Sequence, residues 1–433
     1  MIWRTRILLA AAVVAGLGLA VLAALFWLGY REPAQTASWP SGAAPVASSD
    51  QARIEQGRYL AALGNCMGCH TRQAGEPYAG GREIPTPFGR FVGPNLTPDP
   101  EYGIGKWTAD EFWRALHHGK RPDGSLLYPA FPYTSYQHLT REDADALYSY
   151  LQSLPPVKRP NDPHRLDFPY DQRPLIALWR ALYFDRDPEP AAPRDESGDA
   201  QWLRGRYLVE GLAHCAECHT ARDSLGGWEG QPLAGGLILG MNWYAPPLTS
   251  DAAGLGSWTA QEIADYLRTG LAAHSYASGP MAESVRNGFQ FASPDDALAM
   301  GMYLKQLPAA GLDTTPERTS LDYGVMESGR KVYATYCAQC HQAEGSGVKG
   351  AWPALAANPS VNAASPVNAI QLVLAGGFAP ATQHHDRPHG MPPFAHVLSD
   401  SDVAAVVTYI RNSWGNKAGP ATLPQVRAVR QAP

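Results

Sequence analysis

Three five-residue stretches carry the pattern C-x-x-C-H: Cys66-Met67-Gly68-Cys69-His70, Cys215-Ala216-Glu217-Cys218-His219 and Cys337-Ala338-Gln339-Cys340-His341. Two thiols at this spacing can each add to one vinyl group of a porphyrin, and the histidine that follows meets the iron from the proximal side. The chemistry expected is therefore covalent attachment of three c-type haems. Cys66, Cys69, Cys215, Cys218, Cys337 and Cys340 would hold the porphyrins, and His70, His219 and His341 would be axial ligands. A thioredoxin-like redox pair or a zinc site also uses paired cysteines, but neither requires a following histidine, still less three times. The motifs use all six cysteines, so none remains for a disulfide, an iron–sulfur cluster or a thiol nucleophile.

Each iron has a second axial face, and a methionine there raises the potential relative to a second histidine. In the third unit Met391 stands in Gly390-Met391-Pro392-Pro393-Phe394, with His384, His385, His389 and His396 as nearby rivals. In the second, Met281 stands in Gly279-Pro280-Met281-Ala282, with Met241, Met300 and Met302 as alternatives. The first unit breaks the pattern. Its matching segment reads Tyr128-Pro129-Ala130-Phe131-Pro132-Tyr133, and phenylalanine cannot ligate iron. The available donors there are His117, His118, His138 and His164. Aligning residues 112–119 with 263–270 sets His117 opposite Arg268 and His118 opposite Thr269. Adjacent helical residues point a quarter-turn or more apart, so only one of the two can face the iron.

The elements that must position these residues recur in order: helix, haem motif, long loop, ligand, helix. This is the plan of a small α-helical cytochrome c domain. Gly57-Arg58-Tyr59-Leu60 precedes the first motif and Gly205-Arg206-Tyr207-Leu208 the second; Gly329-Arg330 opens the third unit. Ala79-Gly80-Gly81 returns as Ala234-Gly235-Gly236, which makes an internal duplication the simplest reading. The closing helices show one apolar face each at i, i+3, i+4, i+7: Ala144, Leu147, Tyr148 and Leu151; Ala297, Met300, Gly301 and Leu304; Val403, Val406, Val407 and Ile410. Thr140 and Asp143 have the form of a capping box, and Thr108 that of an N-cap. The fold class expected is mainly α, with three tandem cytochrome c-like domains after an N-terminal transmembrane helix. The boundaries expected are a membrane anchor (1–30), a tether (31–50), a first domain (51–156), a linker (157–200), a second domain (201–308), a linker (309–321), a third domain (322–415) and an extended tail (416–433). Within the first linker, the apolar run around Leu175-Ile176-Ala177-Leu178-Trp179 reads as a short helix strapped across its own first domain or packed on a partner.

Residues 7–28 carry no charge across 22 positions, about 33 Å as a helix and enough to cross a bilayer core. Arg4 and Arg6 precede it, which keeps the N-terminus in the cytoplasm and exports the rest. A cleaved signal peptide has a shorter apolar region with a small-residue site close behind it. Net charge is −5 over 433 residues, which argues against nucleic acid or an anionic membrane surface as the main partner. No G-x-G-x-x-G stretch follows a strand, and no nucleophile–base motif stands out.

The repeated pattern resembles the triheme cytochrome c subunit of bacterial membrane-bound periplasmic dehydrogenases. The resemblance is carried by the three C-x-x-C-H motifs, Thr86-Pro87-Phe88-Gly89, Asn95-Leu96-Thr97-Pro98-Asp99, residues 103–107 and residues 128–136. Members serve alcohol, gluconate and sorbitol dehydrogenases, and others serve molybdenum hydroxylases acting on aldehydes or N-heterocycles such as nicotinate. The resemblance implies electron transfer with no catalytic centre in this chain. It implies a catalytic dehydrogenase partner, in some members with a small iron–sulfur subunit, and quinone or a terminal oxidase as acceptor. It also implies a place in the bacterial inner membrane, with the haem domains in the periplasm. In the alcohol dehydrogenase branch a methionine stands where this chain has Phe131. Here Ala115-Leu116-His117 and Pro129-Ala130-Phe131-Pro132 are closer to the branch that accompanies molybdenum hydroxylases. That branch has a histidine at the place of His117, which selects His117 as the sixth ligand of the first haem. The competing reading makes the first haem an open catalytic site; a redox or gas sensor is the third.

Overall fold

The computed structural model describes residues 2–32, 50–184, 199–273, 275–311, 321–386 and 388–431. Most of the expected tether and of the 309–321 linker lies outside the described residues.

Three helix pairs organise the chain from residue 50 onward. Asp50–Leu63 packs on Arg141–Ser153, Ala200–Arg206 on Pro294–Lys305, and Tyr323–Tyr336 on Asp400–Arg411. Each closing helix starts on a hydroxyl cap. Thr140, Ser293 and Ser399 accept from the backbone N–H of Asp143, Asp296 and Asp402, and these acids also suit the positive end of the helix dipole. The expected apolar faces are buried, apart from Tyr148, which is half-buried. Each pair crosses at a glycine. A Cβ on Gly57, Gly205 or Gly329 would collide with the carbonyl of Ala146, Ala299 or Ala405, so only glycine permits the approach.

Segments 51–156 and 201–308 share one hydrophobic core, running from Leu60 through Trp202 and Tyr207 to Leu307. Their interlock is reciprocal. The Tyr59 hydroxyl donates to Asp296 Oδ2 (2.6 Å) and accepts from the Ser293 N–H (3.1 Å). The Tyr207 hydroxyl donates to Asp143 Oδ2 (2.6 Å) and accepts from the Thr140 N–H (3.2 Å). Each tyrosine thus inserts between the cap residue and the acid of the other segment's closing helix. This corrects the capping box expected at Thr140: Asp143 turns to Tyr207 instead of returning to the Thr140 N–H. The third segment has its own core and meets the second through polar contacts. Asn368 exchanges two hydrogen bonds with the Tyr244 backbone (2.8 Å each), and Gln383 donates two to Gln290 (2.9 and 3.0 Å).

Strands are few. Glu83–Thr86, Gly89–Val92 and Arg165–Leu166 form an antiparallel sheet, with Glu83 opposite Val92 and Gly89 opposite Leu166. Gly236–Ile238 pairs with Trp243–Ala245, and Gly377–Phe378 with Gly390–Met391. The first linker therefore straps its own segment, as Arg165–Leu166 shows. Its helix Ile176–Tyr183, however, packs against the N-terminal helix Ile2–Tyr30. The tail is corrected as well. It is not extended but ends in a helix, Leu423–Gln431, whose Val426 and Val429 are buried on the third core.

The N-terminal helix is long and apolar enough to cross a membrane, and none of its apolar window is buried in protein. Its far end is gripped. Fully buried Arg180 donates to the Gly29 carbonyl (2.9 Å) and the His118 carbonyl (2.7 Å). Lys120 donates to the Tyr30 carbonyl (2.8 Å) and to Glu32 (3.0 Å), and Arg114 donates to Glu32 (2.7 Å). The Arg114 bond and the Lys120 charge hold the Glu32 carboxyl down at about 2, against the opposing pull of burial. A Cβ at Gly29 would strike the Ala177 carbonyl.

Candidate functional site

The three C-x-x-C-H motifs share one local build. Each is a single helical turn: Cys66–His70, Ala216–His219 and Ala338–His341. The turn brings the two cysteines onto one side, three residues apart. All six cysteines are free thiols, with Cys69 and Cys218 exposed. In every motif the histidine Nδ1–H donates to a proline carbonyl about a dozen or two dozen residues on: His70 to Pro94 (2.9 Å), His219 to Pro246 (2.7 Å) and His341 to Pro353 (3.0 Å). The histidine carbonyl in turn accepts from a glycine of the same loop: Gly80 (2.7 Å), Gly235 (2.8 Å) and Gly347 (3.0 Å), all with positive φ. The bond to proline fixes the tautomer, leaving Nε2 as the lone-pair nitrogen. Burial pushes each imidazole below its ordinary pKa, and the proline carbonyl opposes this only partly. A neutral, oriented Nε2 beside two unpaired thiols is the donor set that covalent haem requires, so the residues fit the group.

On the ligand side, Met281 lies near the start of the helix Gly279–Asn287, half-buried against the shared core. Met391 is in the strand Gly390–Met391, half-buried against the third core. Met300 is fully packed in its helix. His384, His389 and His396 are exposed, and His389 packs beside Trp352. The backbone aligns Phe131 with Met281. The Leu127 N–H returns to Gly119, the C-cap of the helix Ala109–His118. The Ala277 N–H returns to Gly270, the C-cap of Ala260–Thr269. Phe131 and Met281 each follow four residues later.

His117, expected as the first haem's ligand, is placed otherwise. It is fully buried, and its ring stacks on Trp113 at a 3.3 Å centroid distance. Nε2 lies 2.8 Å from the Leu139 carbonyl and Nδ1 3.3 Å from the Trp113 carbonyl. The neutral ring carries a single N–H, which the shorter contact assigns to Nε2 and the Leu139 carbonyl, and the side chain packs against Trp113 in this structure. Burial pushes its pKa down to about 4. His118 neighbours Glu32, Lys120 and Arg180; His138 neighbours Arg206 and His117. His164 Nδ1 accepts from the Val92 N–H (3.1 Å), with its ring against Phe91 and Tyr128.

The cytochrome c family model matches residues 54–155 and 326–414. The alcohol dehydrogenase (quinone) cytochrome c subunit of Gluconobacter oxydans (strain 621H) is 38% identical over 407 residues, 90% of this chain and 84% of that protein. The gluconate 2-dehydrogenase cytochrome c subunit of Pantoea cypripedii is 35% identical over 411 residues, 88% and 90% of the two chains. A nicotinate dehydrogenase subunit of Pseudomonas putida is 37% identical over 429 residues, 94% of this chain but 35% of that longer protein. The chain belongs to the cytochrome c family. It therefore carries covalently bound haem c.

The cytochrome also holds contacts that its sequence did not announce. The first two motifs face each other's segments. Asn65 and His214, the residues before Cys66 and Cys215, both adopt left-handed backbone (φ 47° and 40°). His214 Nε2 lies 3.2 Å from the Gly64 carbonyl, and its ring meets Tyr136 at 5.6 Å. Thr134 donates to Glu217 (3.2 Å), and Arg82 pairs with Glu283 (3.0 Å) across the same boundary. Burial, and next the Cys66 thiol, hold the Tyr136 hydroxyl well above its ordinary range. The only advance signal was the repeat itself: duplicated motifs that pair will put equivalent residues at one seam.

Proposed function

We propose that this cytochrome is the membrane-anchored electron relay of a dehydrogenase complex, with three haems c in three tandem domains. The observation that carries the reading is the threefold recurrence of one motif build, down to the histidine–proline bond. Haem, when bound, supplies a one-electron couple. The chain's own residues do the rest. Cys66, Cys69, Cys215, Cys218, Cys337 and Cys340 hold the porphyrins, and His70, His219 and His341 present a neutral Nε2. Met281 and Met391 give the second and third irons a thioether on the other face. The apolar cores around them keep water out. Electrons come from a separate catalytic subunit. The relatives' names span alcohol, gluconate and nicotinate dehydrogenases, and the Phe131 departure favours a molybdenum-hydroxylase partner acting on aldehydes or N-heterocycles, with or without a small iron–sulfur subunit. The acceptor is quinone or a terminal oxidase.

The N-terminal helix stays on the mature chain in this reading, as a single span of the bacterial inner membrane with the haem domains in the periplasm. Cleavage after residue 30 would leave the buried Arg180 without its Gly29 acceptor and Lys120 without the Tyr30 carbonyl, each loss costing about 1–3 kcal/mol. The intact mass of the protein purified from membranes tests both points. It should equal the full polypeptide plus three haem masses. Two haem masses, or a chain lacking residues 1–30, would overturn the corresponding part.

A further inference from the structure

Phe131 stands four residues past the Leu127-to-Gly119 backbone bond, as Met281 stands four past the Ala277-to-Gly270 bond, Phe131 in a loop and Met281 in the first turn of a helix. The phenylalanine ring is half-buried and stands 5.4 Å from Tyr136, whose surroundings include Cys66 and Cys69. Phe131 and Cys66 thus pack against the same core. Each of the four histidines of this segment's ligand side has its own neighbours in the structure. His117 donates its one N–H to the Leu139 carbonyl and stacks on the Trp113 indole. His118 lies with the anchor-gripping charges, and His164 caps the strand Gly89–Val92. His138 sits beside Arg206 and His117. His214, which reaches in from the second segment, is bonded to the Gly64 carbonyl.

We propose that the first haem has no side-chain sixth ligand, and that its Phe131 face is a binding site for a small neutral diatomic molecule. The inference rests on haem being attached at Cys66 and Cys69. A ring at the sixth position covers the iron without donating to it, so the face is apolar and accessible only to something small. Such a pocket favours an uncharged π-acceptor on ferrous iron over an anion, because an apolar wall gives a buried charge no compensation. The same chain would then combine two haems closed by Met281 and Met391 with one that exchanges its ligand.

Carbon monoxide titration of the dithionite-reduced full-length protein, on a sample whose haem content is fixed by intact mass, tests this. The wild type should bind one carbon monoxide for its three motifs, and the oxidised protein should show one high-spin ferric signal by electron paramagnetic resonance. Phe131→Met should abolish both by installing the thioether, and His117→Ala should leave both unchanged. No carbon monoxide binding by the wild type overturns the proposal, and its appearance in His117→Ala alone would return the ligand role to His117. Binding that survives Phe131→Met would show that residue 131 does not face the iron. A mass short of one haem with Cys66 and Cys69 free would overturn the attachment and the proposal together, a result distinct from a six-coordinate haem.

Discussion

Met391→Ala should drop one haem midpoint potential by a large share of the roughly 0.8 V that axial ligands span, and Met281→Ala should do the same to a second. A thioether stabilises ferrous iron, so its loss favours the ferric state and the potential falls. The backbone around Met391 is firmly set. Its strand pairs with Gly377, and a Cβ on Gly376 would strike the Met391 carbonyl. Pro392 and Pro393 follow and stiffen the loop further. Met281 sits in a helix that packs against the first motif's turn, with Glu283 fixed by Arg82. Spectroelectrochemical titration reads the potentials one by one, and each variant should also gain one carbon monoxide site. Three unchanged potentials in either variant would remove that methionine from the ligand set.

Arg180→Ala should destabilise the first segment by about 2–5 kcal/mol, the combined effect of a buried void and carbonyls left without donors. The guanidinium stands 4.5 Å from the Phe184 ring centroid and 5.2 Å from that of Tyr133. It also joins the Gly29 and His118 carbonyls, so one side chain ties the N-terminal helix to the body. Arg180→Lys keeps the charge but not the fork, and should recover only part of the loss. Thermal unfolding in detergent, followed with proteolysis between residues 32 and 50, measures the effect. A melting profile and cleavage rate equal to the wild type would show that the grip contributes nothing.

What could be read in advance follows from how local each signal is. The haem motifs are five contiguous residues, and the alternation of caps and apolar faces lies within one helix, so both were legible. The glycines before the three motifs were visible as a repeat. Their role was not, because it depends on an alanine carbonyl 76 to 94 residues away at Ala146, Ala299 or Ala405. Tyr59 and Tyr207 belong to the same class: each caps a helix of the other segment, which no window of sequence contains. His117 poses a related problem. Helical spacing says that it and His118 diverge, but which side meets iron depends on Trp113 stacking and on the Leu139 carbonyl. The tail helix was missed because Leu423–Gln431 has only Val426 and Val429 as buried anchors, too few for a periodic signal.

The most direct test of the relay is anaerobic mixing of the purified haem-loaded chain with alcohols, aldehydes and N-heterocycles, before and after adding the catalytic subunit that co-purifies with it from native membranes. The account predicts fully oxidised haem spectra with every substrate until the partner is present, and then reduction of all three haems by that partner's substrate. Haem reduction by substrate in the isolated chain, shown free of partner by mass analysis, would contradict it.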